Sequence, residues 1–195
     1  MKILVTGGNR GLGKVLCDEL QAESISRNTG HDITNCYVDI ATKSLDYDVF
    51  INNAFDGPPQ EEWANFGQFH VLNSVYTTWK EHNKTGLIIN IGSVGSKNIV
   101  APEPSFETYR VAKQTLEFHS KQCTAAFKNN LVKFKTTLIT LDRLDTPLSR
   151  SRPNWTGNGI DCNDIVSYIK FLTSINANTC VEEVIFYVNF NYDTQ

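Results

Sequence analysis

Apolar and polar positions fall in blocks along this chain, each the length of one secondary-structure element. The apolar run Ile3 to Val5 meets a glycine-rich turn. Val15, Leu16 and Leu20 then recur at helical spacing over Lys14 to Leu20. Ser24 to Asn28 predicts a short strand ending in a turn, and Cys36 to Ile40 a further strand with Asp39 at its end. Asp48 to Ala54 predicts an apolar strand stopping at polar residues, and Asp56-Gly57-Pro58-Pro59 a loop. Glu61 to Glu81 reads as mainly helical, with a break near Gly67 and a longer segment from about Phe69. Leu87 to Ile91 is the most strand-like run, as expected of a buried central strand. A proline-containing loop to Pro104 follows, then a long helix over Phe106 to Phe127 and a strand over Val132 to Leu141. Asp142 to Gly159 reads as a polar loop. Asn163 to Ser174 is an amphipathic helix with Ile165, Val166, Ile169 and Leu172 inward, and Glu183 to Phe190 is the last strand. Strands alternating with helices predict one α/β domain over residues 1–195: a Rossmann-like, doubly wound parallel sheet in three αβα layers.

Composition narrows the picture by exclusion. Apolar residues make up 41% and charged residues 20%, ordinary for a globular chain with a sizeable core. A net charge of -3 gives no electrostatic case for nucleic acid or an anionic membrane surface. No apolar run has the length of a membrane span, and Ile3 to Val5 is too short for the apolar part of a secretion signal. A cytoplasmic location is expected. Cys17, Cys36, Cys123, Cys162 and Cys180 form no C-x-x-C pair and fit reduced thiols. His31, His70, His82 and His119 have no metal-ligand spacing, so no metal site is expected. Two glycosylation sequons, at Asn83 and Asn154, carry no meaning without secretion.

Chemistry enters with the first turn. Strand, glycine turn and helix in that order bring backbone N–H groups and a helix N-terminus to a pyrophosphate. Gly7, Gly11 and Gly13 fit T-G-x-x-x-G-x-G rather than G-x-G-x-x-G, since Leu16 stands where the latter needs glycine. Further along, Tyr109 and Lys113 are four apart and share one helix face. A tyrosine is a poor acid at neutral pH, and an adjacent ammonium favours its phenolate. Such a tyrosine exchanges a proton with a carbonyl or alcohol oxygen, and Ser93 would hydrogen-bond the same oxygen.

Taken together, these stations resemble the classical short-chain dehydrogenase/reductases over nearly the whole chain. Thr6-Gly7-Gly8-Asn9-Arg10-Gly11-Leu12-Gly13 is similar to the family's pyrophosphate turn, and Val38-Asp39-Ile40 to its adenine-touching aspartate. Asn52-Asn53-Ala54 resembles the N-N-A-G element, and Val71-Leu72-Asn73 the helix asparagine. Asn90-Ile91-Gly92-Ser93 resembles the strand bearing the catalytic serine, and Tyr109-Arg110-Val111-Ala112-Lys113 the Y-x-x-x-K pair. Asp145-Thr146-Pro147 sits where the family has a threonine near the nicotinamide.

The resemblance implies a catalytic set of Asn73, Ser93, Tyr109 and Lys113, with Asn73 holding Lys113 through a backbone-bound water. It implies a cofactor site of Thr6, Gly7, Asn9, Arg10, Gly11, Leu12, Gly13, Arg27, Asp39, Ile40, Asn53, Ala54, Tyr109, Lys113 and Thr146. Arg10 and Arg27 are placed like the basic residues of NADP-preferring members, since a guanidinium grips a 2′-phosphate with two hydrogen bonds. NADP(H) is therefore the expected cofactor, with NAD possible. The implied activity is that of a carbonyl reductase or alcohol dehydrogenase acting on a small-molecule carbonyl or alcohol. The long helix resembles the family's dimer helix, so a homodimer or homotetramer is expected.

Three shortened segments and two departures in residue type qualify this expectation. The segment between Gly13 and Asp39 is compressed, which implies a missing helix and brings Arg27 in early. The stretch between Asn73 and Ser93 and the loop after Thr146 are also short. Phe55 replaces the N-N-A-G glycine that lets the backbone lie close to the cofactor, so an adjusted turn is expected there. Arg143 and Asp145 lie in a segment that usually bears glycine and valine. A nucleotide-binding module without catalysis, or another chemistry such as epimerisation or dehydration on the same core, stays open beside the reductase.

Overall fold

The computed structural model describes residues 1–55, 66–97, 104–152, 155 and 157–189, and the side chains of 104–106 fall outside that description. The expected loop at Asp56 to Pro59, the helix start at Glu61, the proline loop ahead of Pro104 and the last residue of the strand ending at Phe190 lie outside the described residues. Six parallel strands run β1 (Ile3–Thr6), β2 (Glu23–Ile25), β3 (Val49–Asn52), β4 (Thr85–Ser93), β5 (Lys133–Leu141) and β6 (Glu183–Phe186). Their spatial order is β2-β1-β3-β4-β5-β6. Among the described residues the α-helices are α1 (Gly11–Leu20), α2 (Tyr37–Ser44), α3 (Gly67–Glu81), α4 (Pro104–Lys128), α5 (Pro147–Arg150) and α6 (Cys162–Ser174).

Strand alternation divides the core in two. Ile3, Val5, Val49, Ile51, Leu87, Ile89 and Ile139 face one side, where Leu12 and Leu16 of α1 and Ile165, Ile169 and Leu172 of α6 cover them. Leu4, Phe50, Ile88 and Phe134 face the other, under α2, α3 and α4. The central strands carry unbroken apolar runs at Ile3–Val5, Val49–Ile51 and Leu87–Ile89 because helices cover both faces. The expected three-layer α/β architecture is therefore the one found.

The expected strand at Cys36–Ile40 is instead the start of α2. A strand would put Val38 and Ile40 on one face, yet Val38 is 60% exposed and Ile40 fully buried. That opposition is helical, and Ile40, Ala41 and Ser44 form the inward face. Ser44 locks it, accepting from Trp79 Nε1 of α3 at 2.8 Å and donating to the Ala41 carbonyl at 2.6 Å. So the compressed segment keeps its crossover helix and lacks an edge strand. The strand expected from Ser24 to Asn28 stops at Ile25, and Arg27–Thr29 form a single 3-10 turn. The helix expected from Phe69 begins at Gly67, and the polar loop after Asp142 contains α5, capped by Thr146.

Candidate active site and nucleotide turn

β1 and β3 lie side by side while the chain leaves them toward opposite sides of the sheet, and the crevice at their carboxyl ends is where such sheets bind nucleotides. The two strand ends are stitched together. Thr6 Oγ1 accepts from the backbone N–H groups of Asn53 and Ala54, both at 2.9 Å. Asn53 Nδ2 donates back to the Thr6 carbonyl at 2.9 Å. Gly7 turns out of β1 with φ +75, a conformation that L side chains rarely adopt, and its N–H donates to the Ile25 carbonyl at 2.7 Å. A Cβ on Gly13 would lie 2.2 Å from the Gly7 carbonyl oxygen, so only glycine lets α1 press onto the turn. No side chain caps the N-terminus of α1. Its first N–H groups therefore retain hydrogen-bonding capacity for an anion.

Around this turn the expected residues separate. Asn9 and Arg10 are exposed, and Asn9 Nδ2 donates to Ser26 Oγ at 2.7 Å. Arg27 is exposed on the 3-10 turn after β2, on the same side. Gly11 lies close to Thr146, because a Cβ there would come 3.9 Å from Thr146 Cγ2. Thr146 is buried, and its Oγ1 accepts from Ser149 N–H at 3.2 Å. Leu12 is a core residue. Ile40 is sealed in the core and cannot touch a cofactor, and Asp39 stands exposed in the first turn of α2 rather than at a strand end. The acidic residue that does precede α2 is Asp32, which accepts from both the N–H and the hydroxyl of Thr34. Its neighbour Ile33 packs on Gly67 at the start of α3.

Ser93, Tyr109 and Lys113 converge. Ser93 ends β4 and is hydrogen-bonded to Tyr109, and it also accepts from Gly95 N–H at 3.1 Å. A salt-bridged cluster fixes α4 against this strand end. Ser96 Oγ donates to Glu117 at 2.6 Å, Gln114 Nε2 to the Ser96 carbonyl at 3.0 Å, and Lys97 bridges Glu117 and Glu183. Burial opposes ionisation of Glu117, but hydrogen bonds from Lys121, Lys97 and Ser96 outweigh it and hold the carboxyl down to about 2. One turn beyond Tyr109, Lys113 is 5% exposed, and its Nζ lies 5.8 Å from the Tyr109 ring.

The partner expected for Lys113 is not the one present. Asn73 is exposed on α3, turned from the buried face formed by Val71, Leu72, Val75 and Trp79. Lys113 Nζ donates instead to Gln68 Oε1 at 2.6 Å and to the Ile91 carbonyl at 3.1 Å. Gln68 escaped the sequence reading because an uncharged amide at a helix start carries no motif. Phe55, noted only as a departure, sets its ring edge-on to Tyr109 at 5.0 Å and under the Lys113 ammonium at 4.7 Å.

This environment shifts both key groups. Burial alone pulls the Lys113 amine down to about 7. Burial pushes the Tyr109 phenol up, against the opposing pull of the Ser93 hydrogen bond and the Arg152 charge. Near neutral pH the pair is a protonated phenol beside a partly protonated amine. The expected lowering of the phenol by its lysine is not what this arrangement gives.

The 3-alpha-hydroxysteroid dehydrogenase of Pseudomonas sp. B-0831, solved with NADH, superposes with a TM-score of 0.73 at 15% identity, over 95% of this chain and 94% of that one. The fold is that of the short-chain dehydrogenase/reductases. A 4-hydroxyisoleucine dehydrogenase solved with NADH gives 0.72 at 18% identity over 100% of both chains. The betaketoacyl-[ACP] reductase of Bacteroides thetaiotaomicron gives 0.70 at 16% identity over 96% and 97%. No protein-family model and no curated protein matches the sequence. Within the short-chain dehydrogenase/reductase fold, no group of metal-ligating side chains occurs among the described residues. No helix among them is long and apolar enough to cross a membrane.

Proposed function

We propose that this chain is an NADP(H)-dependent oxidoreductase that interconverts a small-molecule carbonyl compound and its alcohol. The observation that carries the reading is the convergence of Ser93, Tyr109 and Lys113 beside a glycine turn built to take a pyrophosphate. The residues present fit a dinucleotide. The uncapped α1 N-terminus and the N–H groups of the turn would hold the pyrophosphate. Asn53 and Ala54, pinned by Thr6, would lie along it. Arg10 and Arg27 would grip a 2′-phosphate, and Asp39 or Asp32, on either side of the α2 start, would be the acidic neighbour of the adenine end. When bound, the reduced nicotinamide supplies the hydride that reaches the carbonyl carbon.

The protein's part is to place the substrate oxygen and deliver the proton. Ser93 Oγ and the Tyr109 hydroxyl share a hydrogen bond, so an oxygen entering between them meets two donors. Tyr109, held as a phenol at neutral pH, gives its proton to that oxygen as the carbon is reduced. In the reverse direction it takes the proton back. Charged Lys113 stabilises the phenolate left behind.

Purified protein mixed with NADPH and a panel of ketones and aldehydes should consume the reduced nicotinamide absorbance. Tyr109→Phe should lower turnover by about 10²–10⁴-fold with NADPH binding retained. Turnover that survives Tyr109→Phe would refute the role of the phenol. A second reading is a nucleotide-binding module without catalysis. It is favoured by Phe55 packed beneath the Lys113 ammonium and by the upward shift of Tyr109. Tight NADPH binding with no turnover across the panel would select it. The long α4 carries Val111 and Phe118 exposed, which supports a homodimer or homotetramer through this helix.

A further inference from the structure

We propose that Gln68 is the positioning residue for Lys113, a side-chain amide clamped directly on the active-site ammonium. The proposal rests on the reading of Lys113 as part of that site.

The geometry fixes both ends of the Gln68 amide. Gln68 is 2% exposed, in the first turn of α3. Its Nε2 donates to the Asn52 carbonyl at 3.0 Å and to the Ile91 carbonyl at 3.4 Å, and its Oε1 accepts from Lys113 Nζ at 2.6 Å. Turned over, the amide would set an NH₂ group against an ammonium and an oxygen against two carbonyl oxygens. Its orientation is therefore unambiguous. The backbone of Gln68 is held as well, because Asn52 Nδ2 donates to the Gln68 carbonyl at 2.8 Å and to Asn90 Oδ1 at 3.0 Å. The ends of β3 and β4 thus grip one residue of α3 through both its main chain and its side chain.

That grip decides how the amine is held. An ammonium has three hydrogens to place. Two go to Gln68 Oε1 and the Ile91 carbonyl, and the Phe55 ring is the third neighbour. Among the described residues, the groups facing Nζ are Gln68 from α3, the Ile91 carbonyl from β4, Phe55 from the loop after β3 and Tyr109 from its own helix. Of these only Tyr109 titrates. Neutral acceptors compensate a buried ammonium in part, whereas a carboxylate would do so far more strongly. A glutamine keeps the amine oriented while leaving it able to lose its proton near neutral pH, as the downward shift of Lys113 to about 7 indicates. An asparagine is one methylene shorter and would fall short of this contact.

The test reads the ionisation of Lys113 without requiring turnover. The ¹³Cε resonance of Lys113, assigned by its loss in Lys113→Arg, is titrated in the full chain for wild type, Gln68→Glu and Gln68→Met. Gln68→Glu should move the midpoint up by about one pH unit or more, and Gln68→Met should move it down. Opposite displacements mark an electrostatic hold on the amine, which a residue with only a packing role would not produce. Midpoints that coincide with wild type, or that move in the same direction, overturn the proposal. Gln68→Met decides alone if Gln68→Glu fails to fold, because only loss of the amide acceptor tests the wild-type contact, and Gln68→Leu takes its place if Gln68→Met does not fold. A chain that turns over no carbonyl compound still gives this result, so failure of the reductase reading is seen separately. Where turnover is found, the alkaline limb of the kcat/KM profile should follow the same two displacements.

Discussion

Lys113→Met should make this protein more stable while disabling its site. The lysine amine falls from 10.5 to about 7 through burial alone. At roughly 1.4 kcal/mol per pH unit, that drop corresponds to about 5 kcal/mol of folding free energy spent on keeping the ammonium buried. The sign follows from proton binding. Between pH 7 and 10.5 the unfolded chain holds a proton that the folded chain has released, so wild-type stability rises with pH across that window. Below about 7 both states are protonated and the cost is present in full. Methionine fills a similar volume without charge, but it leaves Gln68 Oε1 without its 2.6 Å donor, a loss of about 1–3 kcal/mol. A net gain of about 2–4 kcal/mol near pH 6 is therefore expected, shrinking toward zero or reversing as the pH approaches 10. Urea unfolding of wild type and variant at several pH values measures it. A Lys113→Met protein that is less stable at pH 6, or a difference that does not change with pH, would refute the reasoning.

The other expectations follow from single contacts. Phe55→Ala removes the ring that faces the Lys113 ammonium at 4.7 Å, an interaction of about 1–2 kcal/mol when desolvated. NADPH should then bind about 5–30-fold tighter by fluorescence titration, and unchanged affinity would mean that Phe55 does not cover the cofactor's position. Arg27→Asp should weaken NADPH far more than NADH, because a new carboxylate repels the 2′-phosphate and accepts from a 2′-OH. Equal losses for both would reject Arg27 as the phosphate grip. Phe118 is 66% exposed on α4, and Phe118→Lys should shift the assembly toward monomer in light scattering. A wild-type chain that is already monomeric would remove the case for that face.

Much of the fold was legible because its strongest signals are local. The run Ile3 to Val5 before a glycine turn and the apolar block at Leu87 to Ile91 admit few other readings, and both are strands. Cys36 to Ile40 misled because five residues, apolar at all but Asp39, suit either period. What decided between them was Trp79 and its bond to Ser44, a contact between residues 35 apart. The site divides in the same way. Ser93, Tyr109 and Lys113 were found because helix spacing and a strand end suffice to bring them together. Gln68 was not, because its role depends on where Asn52 and Ile91 end their strands. Phe55 stood out as a misplaced bulky residue, yet nothing local told that its ring would settle beneath an ammonium.

The strand order carries a consequence for how the chain is made. β1 has both of its neighbours, β2 and β3, once residue 52 has been synthesised, and the Thr6 ties to Asn53 and Ala54 close two residues later. The glycine turn can then be complete while Ser93, Tyr109 and Lys113 have yet to emerge from the ribosome. During that interval β3 shows an unpaired, wholly apolar edge through Val49, Phe50 and Ile51 until β4 arrives to pair with it. At about 5–20 residues per second the wait to the end of β4 is roughly 2–8 s. This nascent edge is a natural place for a chaperone to hold the chain, and where overexpression outruns chaperone supply it is where aggregation should begin.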